Sequence, residues 1–288
     1  MAVRDRTFRR WRGALTPRRG RFLVLWRYGR REVFSSKLVT AFYALSFAPI
    51  LVAATIVYLR HNVPAMESLE LEIDDLIAID AGFFVALLRA QGAIAFVLTA
   101  LVGPGLVSPD LANQGLPLYL CRPFSRTEYV LGKMSVLVFL TSSITWMPLL
   151  ALFALQGALE PGWVPAHWGL AGATFLGSLV WIVFLALLAL ALSAWVRWRF
   201  LAAALLVALV FVAGGFAEFV NQMFSTDWGD LLSPGKLILI IWEGLFGGVD
   251  PMILPELPQG SAWAAIALYC LVCLGILNRK LRAYEVVR

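Results

Sequence analysis

The chain has 288 residues, of which 60% are hydrophobic and 15% charged, with a net charge of +6. Soluble domains average roughly 45–50% apolar and about 25% charged. A soluble core of this length could not hide so much apolar surface, so the composition excludes an ordinary water-soluble globule and makes lipid the expected solvent.

Residues 1–20 are Arg-rich without apolar periodicity and read as a mobile lead-in. Arg18-Arg19 precedes an apolar run of only five residues, 22–26, too short for the core of a cleavable leader. Over 21–34 the pattern changes. At 100° per residue Phe22, Leu25, Trp26 and Val33 share one stripe while Arg27 and Arg31 face away. That is a basic amphipathic helix expected to lie flat at a membrane surface, with its apolar face among the headgroups and its guanidiniums toward anionic lipid.

Six nearly uncharged runs follow, at 38–59, 88–107, 130–155, 170–195, 200–217 and 261–277. Each approaches the roughly 20 residues that cross the hydrocarbon layer, so the fold class is an all-α integral membrane protein with six transmembrane helices. Arg89 and Lys133 sit near run ends, where long side chains reach the interface. Cys270 and Cys273 form a C-x-x-C inside an apolar run with no His or second pair, which reads as packing rather than redox chemistry or metal binding.

Charge sets the orientation. Residues 1–37 hold 12 Lys/Arg, and with 108–133, Arg197, Arg199 and the tail after 277 they place 21 of the 24 basic residues on one side. The other side keeps Arg60, Arg89 and Lys236 but 13 of the 18 acids. Basic loops stay cytoplasmic, so both termini are expected inside, in a multi-pass cytoplasmic (inner) membrane protein. No aromatic-basic module accompanies the Arg-rich end, so no nucleic-acid partner is expected.

The outer loop at 60–82 is acidic but lacks a D-x-D-x-D-G pattern, and reads as a solvated face rather than a Ca²⁺ site. His61 and His167 both fall near outer span ends, a weak basis for a shared metal. Gly103-Pro104-Gly105 is expected to unwind or kink the second span. A short loop at 156–168 joins spans three and four, and about five residues around Arg197 join four and five as a helical hairpin. Glu218 and Asn221, near the outer end of the fifth span, are the candidates for a translocation path, against the blander reading of interfacial polar groups. Residues 237–246 are too few to cross a bilayer and suit a re-entrant or interfacial helix within the outer loop 218–260.

The longest polar interruption on the basic side is 108–133. Ser108-Pro109-Asp110 reads as a helix start, with a capping hydroxyl, Pro in the first turn and an acid at the positive dipole end. Gly115 reads as its stop. After Arg122-Pro123, Ser125-Arg126-Thr127-Glu128 is a capping box that opens a helix running through Gly132-Lys133 into the third span.

This stretch, LVSPDLANQGLPLYLCRPFSRTEYVLGK, resembles the cytoplasmic connector of type-2 ABC exporter permeases, matching at Asp110, Asn113, Leu116, Tyr119, Leu120, Arg122, Pro123, Ser125, Arg126, Glu128, Tyr129, Gly132 and Lys133. Cys121 departs from the small residue more usual there. The resemblance implies a six-span permease domain over 38–277, an amphipathic elbow helix within 1–37, a coupling segment at 108–133 and a short cytoplasmic tail at 278–288. It further implies docking of elbow and coupling segment on a separate ABC ATPase subunit, two copies of it, and a second permease copy facing the first. Asp110, Asn113, Arg122, Pro123, Ser125, Arg126, Glu128, Tyr129 and Lys133 are then the ATPase-docking residues. No G-x-x-x-x-G-K-[ST] occurs, so no catalytic residue, cofactor or metal is expected on this chain, and ATP belongs to the partner. The alternative is an ATP-driven scaffold serving extracytoplasmic assembly, in which no solute crosses.

Overall fold

Within lipid every backbone N–H and C=O must be satisfied inside its own segment, so long apolar runs become helices. The structure, a computed structural model, describes residues 22–62, 78–113, 115, 125–196, 198–248 and 257–282. Among these the chain forms twelve α-helices, one 3-10 turn and no strand. In chain order they are α1 (Phe22–Val33), α2 (Lys37–Leu45), α3 (Ala48–Arg60), α4 (Ala81–Val102), α5 (Pro104–Ala112), α6 (Arg126–Ile144), α7 (Trp146–Leu159), α8 (Trp163–Ala166), α9 (Trp168–Trp195), α10 (Arg199–Phe224), the 3-10 turn (Trp228–Leu232), α11 (Pro234–Phe246) and α12 (Gln259–Arg282). Six helical stretches are long and apolar enough to cross a membrane: α2–α3, α4–α5, α6–α7, α9, α10 and α12.

The first three spans are each broken, and a proline explains every break. Pro49 stands in the first turn of α3, Pro104 opens α5, and Pro148 stands in the first turn of α7. Proline has no N–H to donate backward and disfavours helix in the residue before it. The break at Gly103 follows the sequence expectation. Those at Ser46–Phe47 and Thr145 interrupt runs read as single helices. At the first break a carbonyl finds another donor: Gln91, wholly buried, donates its side-chain amide to the Ser46 carbonyl at 3.2 Å. Neighbours supplying the missing bonds are what make such breaks tolerable in lipid.

The fourth span is the axis. α9 packs against α4, α5, α6, α7, α10, α11 and α12. Its apolar window is 67% buried within the chain, against 17% for α10 and 22% for the first and sixth spans, so those three carry most of the outward-facing apolar surface. α11 does not cross. Its Leu237, Ile238, Ile240, Ile241, Trp242 and Glu243 are buried, and it packs among α4, α9, α10 and α12.

At the basic end α1 lies along α6. Its buried residues are Leu25, Gly29 and Val33; Leu25 and Gly29 meet that helix, and Trp26 meets Phe139 edge-on at 5.7 Å. The apolar stripe expected to face headgroups is therefore largely occupied by protein. Two glycines allow the approach: a Cβ at Gly29 would meet Val136 at 2.8 Å, and one at Gly132 would meet Leu25 at 2.8 Å. Replacing Gly132 with Val is expected to push α1 off α6 at a cost of about 1–3 kcal/mol, the usual range for overpacking. Limited trypsinolysis in detergent checks it: cleavage after Arg30 or Arg31 should accelerate in Gly132→Val relative to the parent.

Candidate functional site

At the basic end, α5 and α6 flank residues 114–124, and three of the sequence candidates meet between them. Tyr129 and Lys133 are one helical turn apart on α6, so their side chains share a face. The Tyr129 hydroxyl donates to Asp110 Oδ2 at 2.7 Å, and Lys133 Nζ lies 2.9 Å from the same oxygen. Tyr129 is buried and Lys133 nearly so, while the Asp110 side chain keeps 19% of its exposure. The ammonium also stands 5.7 Å from the Tyr129 ring centroid. One carboxylate oxygen thus ties the end of the second span to the start of the third.

Ser125 and Glu128 form the predicted capping box. The Glu128 N–H donates to the Ser125 hydroxyl at 3.2 Å, and the Ser125 N–H donates to the Glu128 carboxylate at 2.7 Å. Arg126 is the first residue of α6, and Asn113 is exposed just beyond the last residue of α5. Arg122 and Pro123 lie outside the described residues.

Ser108 is not a helix cap. α5 begins at Pro104 and ends at Ala112, so Ser108 stands inside it and Gly115 lies beyond it. The reason is Pro104, which opens the helix one turn earlier than the Ser-Pro-Asp signal suggests. Ser108 has a different task. Its N–H donates to the Ser193 hydroxyl at 2.9 Å, and that hydroxyl donates to the Pro104 carbonyl at 3.0 Å, so a side chain of α9 is inserted in the ladder of α5. In return the Ser108 hydroxyl lies 3.1 Å from the Ser193 carbonyl and 2.8 Å from the Val196 carbonyl, both near the end of α9. Both serines are fully buried. Ser193 was invisible to sequence reading, since neither of the two serines in this 28-residue apolar helix, Ser178 and Ser193, carries a positional signal.

At the opposite end, Glu218 and Asn221 hold the chain that leaves α10. Lys236 bonds both Glu218 at 2.9 Å and Asp230 at 2.8 Å, while Asn221 donates to Asp230 at 2.8 Å and accepts the Gly229 N–H at 2.7 Å. Burial opposes the Lys236 charge, but the hydrogen bonds to Asp230 and Glu218 outweigh it and hold its pKa above the usual lysine value. That stabilisation is complete below the ordinary lysine pKa and is lost only as pH rises through the raised value, so the network is constant around neutrality.

Deeper lies a pair the sequence did not announce. Arg89 of α4 is bonded to Glu243 of α11, whose side chain is 1% exposed. Beside it the Trp242 indole N–H donates to the Gly177 carbonyl at 3.0 Å, and the Trp181 indole donates to the Gly92 carbonyl at 2.9 Å. Trp242 also meets Gly92 itself, which lies about 16 Å along α4 from its first residue. A signal did exist: Arg89 and Glu243 each stand in an otherwise uncharged stretch assigned to the same side, and intramembrane charges pair. Among the described residues no group of three His, Cys, Asp or Glu could hold a metal, and His61 and His167 each set Nδ1 against a carbonyl of the preceding turn.

No protein-family model matches the chain, and no curated protein matches it.

The Asp110–Lys133 pair gives a direct test. Removing one partner of a fully buried pair costs about 3–5 kcal/mol, less here because Asp110 is partly exposed. Lys133→Met is expected to lower the thermal unfolding midpoint in detergent by several degrees, and adding Asp110→Asn should recover much of that loss. Additive losses in the double variant would show that the two side chains do not interact.

Proposed function

We propose that this chain is the membrane-spanning subunit of an ABC-type exporter, driven by a separate ATPase. Two copies of the chain face each other in the cytoplasmic membrane with both termini inside. In this reading residues 108–133 are the coupling segment, α1 is the elbow helix, and the partner holds the ATP that this chain has no motif to bind. The observation carrying the reading is the three-residue tie of Asp110, Tyr129 and Lys133, at positions the resemblance assigns to the connector.

The physical logic is transmission. A force applied to 114–124 reaches α5 and α6, and a soft joint would dissipate it. The tie on Asp110, the capping box on α6 and the serine stitch to α9 make the joint stiff. Motion of the ATPase then becomes motion of the second, third and fourth spans together. Arg122, Arg126 and Glu128 set docking register with the partner more than raw affinity. Glu218, at the outer end of α10, would mark the exit of a path running between two copies.

One observation favours a second reading, the ATP-driven scaffold. The α4–α10 contact includes Phe96 against Phe211 at 6.3 Å, and the buried residues of α10 are Ala202, Leu206 and Ala217, so α10 offers no buried polar side chain to a path on that face. ATP hydrolysis without movement of any solute in sealed vesicles would select the scaffold.

The docking claim is tested by charge. Arg122→Glu combined with Arg126→Glu is expected to cut co-purification of the ATPase at least about tenfold, with membrane insertion unchanged. Glu128→Gln, which keeps a capping side chain, should leave the fold intact and weaken docking alone. Undiminished co-purification in the double reversal would remove the assignment.

A further inference from the structure

We propose that the turn between α1 and α2 is a binding site for the phosphate headgroup of an anionic membrane lipid, built from Arg27, Arg30, Arg31, Phe34 and Ser35. These five residues line an open cleft of about 490 Å³, within the size range of small-ligand sites. Three arginines line it, and among the described residues no carboxylate lies within ion-pair distance of any of them. The one carboxylate of α1, Glu32, falls roughly 160° around the helix from Arg30.

The site is held from behind. The Arg30 guanidinium stands 4.7 Å from the Trp26 ring centroid, and Trp26 is set by Phe139. Phe34 is fixed edge-on by Tyr43 at 5.3 Å, and the Tyr43 hydroxyl lies 2.7 Å from that of Ser143 on α6. The wall of the cleft is thereby joined to the first and third spans. Guanidinium forks match phosphate oxygens in pairs, so a phosphoester is the anion this arrangement suits.

Two facts point to a lipid as the source. The turn lies within four residues of Lys37, where the first span begins, and so falls at the depth of the headgroups. The face of α1 that carries the arginines also exposes apolar residues: Leu23 is 51% and Val24 43% exposed. With the buried stripe of α1 already on α6, these residues need a partner that is apolar beside the phosphate. A phospholipid is such a partner, and a free phosphate is not. The inference does not depend on the exporter reading.

Native mass spectrometry of the full chain in detergent tests it, with phosphatidylglycerol and phosphatidylcholine supplied at equal concentration. The parent should retain phosphatidylglycerol in preference, and Arg27→Gln/Arg30→Gln/Arg31→Gln should lower that retention at least about tenfold. The corresponding triple Lys variant keeps the charge without the fork and should fall between them. Equal retention by parent and Gln variant, or by parent and Lys variant, overturns the site. Displacement of the lipid by excess inorganic phosphate or glycerol phosphate overturns the assignment to a lipid. A Gln variant that loses a co-purifying protein while keeping phosphatidylglycerol overturns it in favour of a protein surface.

Discussion

One carboxylate oxygen organises the basic end of this protein. Asp110 Oδ2 receives both the Tyr129 hydroxyl and the Lys133 ammonium, and it does so where the second span ends and the third begins. A buried ion pair is weak evidence for stability, because the cost of desolvating both charges offsets most of their attraction. What it supplies is register. A slip of α6 by one residue would turn Tyr129 and Lys133 off Asp110 together and leave a buried charge unmatched. The same turn of α6 also carries Gly132, which admits Leu25 of α1. The relation of α1, α5 and α6 is therefore set within about five residues.

The opposite end follows a related rule. α11 is too short to cross, and its backbone enters the bundle only because protein surrounds it. Arg89 on Glu243 fixes it electrostatically, and Trp242 fixes it sterically, in a notch made where Gly92 and Gly177 lack side chains. Each end of the bundle thus combines a buried charge pair with a pair of glycines that admits a non-spanning element. α9 links the two ends, meeting Trp242 through Gly177 and meeting α5 through Ser193.

Much of this was legible in the sequence for a simple reason. Lipid imposes length and hydropathy on a span, and those are local properties of the chain. The six spans, the Ser125–Glu128 box and the break at Gly103 were readable because each is encoded within a few residues. The breaks at Ser46–Phe47 and Thr145 were hidden because Pro49 and Pro148 stand in runs whose apolarity dominates any window. Ser108 misled because Ser-Pro-Asp is a genuine start signal that Pro104 had already pre-empted. Arg89–Glu243 and Ser108–Ser193 join positions 154 and 85 residues apart, and no local pattern reports such a pairing. The Asp110–Tyr129–Lys133 tie lies between: its residues were singled out, but as a surface for a partner rather than as a knot inside the chain.

If the joint is rigid, the ends of α5 and α6 hold one separation. Pulsed electron paramagnetic resonance between spin labels at the exposed positions Asn113 and Thr127, with the chain in lipid nanodiscs, measures that separation directly. A single narrow distance distribution in the parent, broadening in Lys133→Met, is the expected result. A parent distribution as broad as that of the variant would contradict a joint held by Asp110, and with it the transmission of force through 114–124.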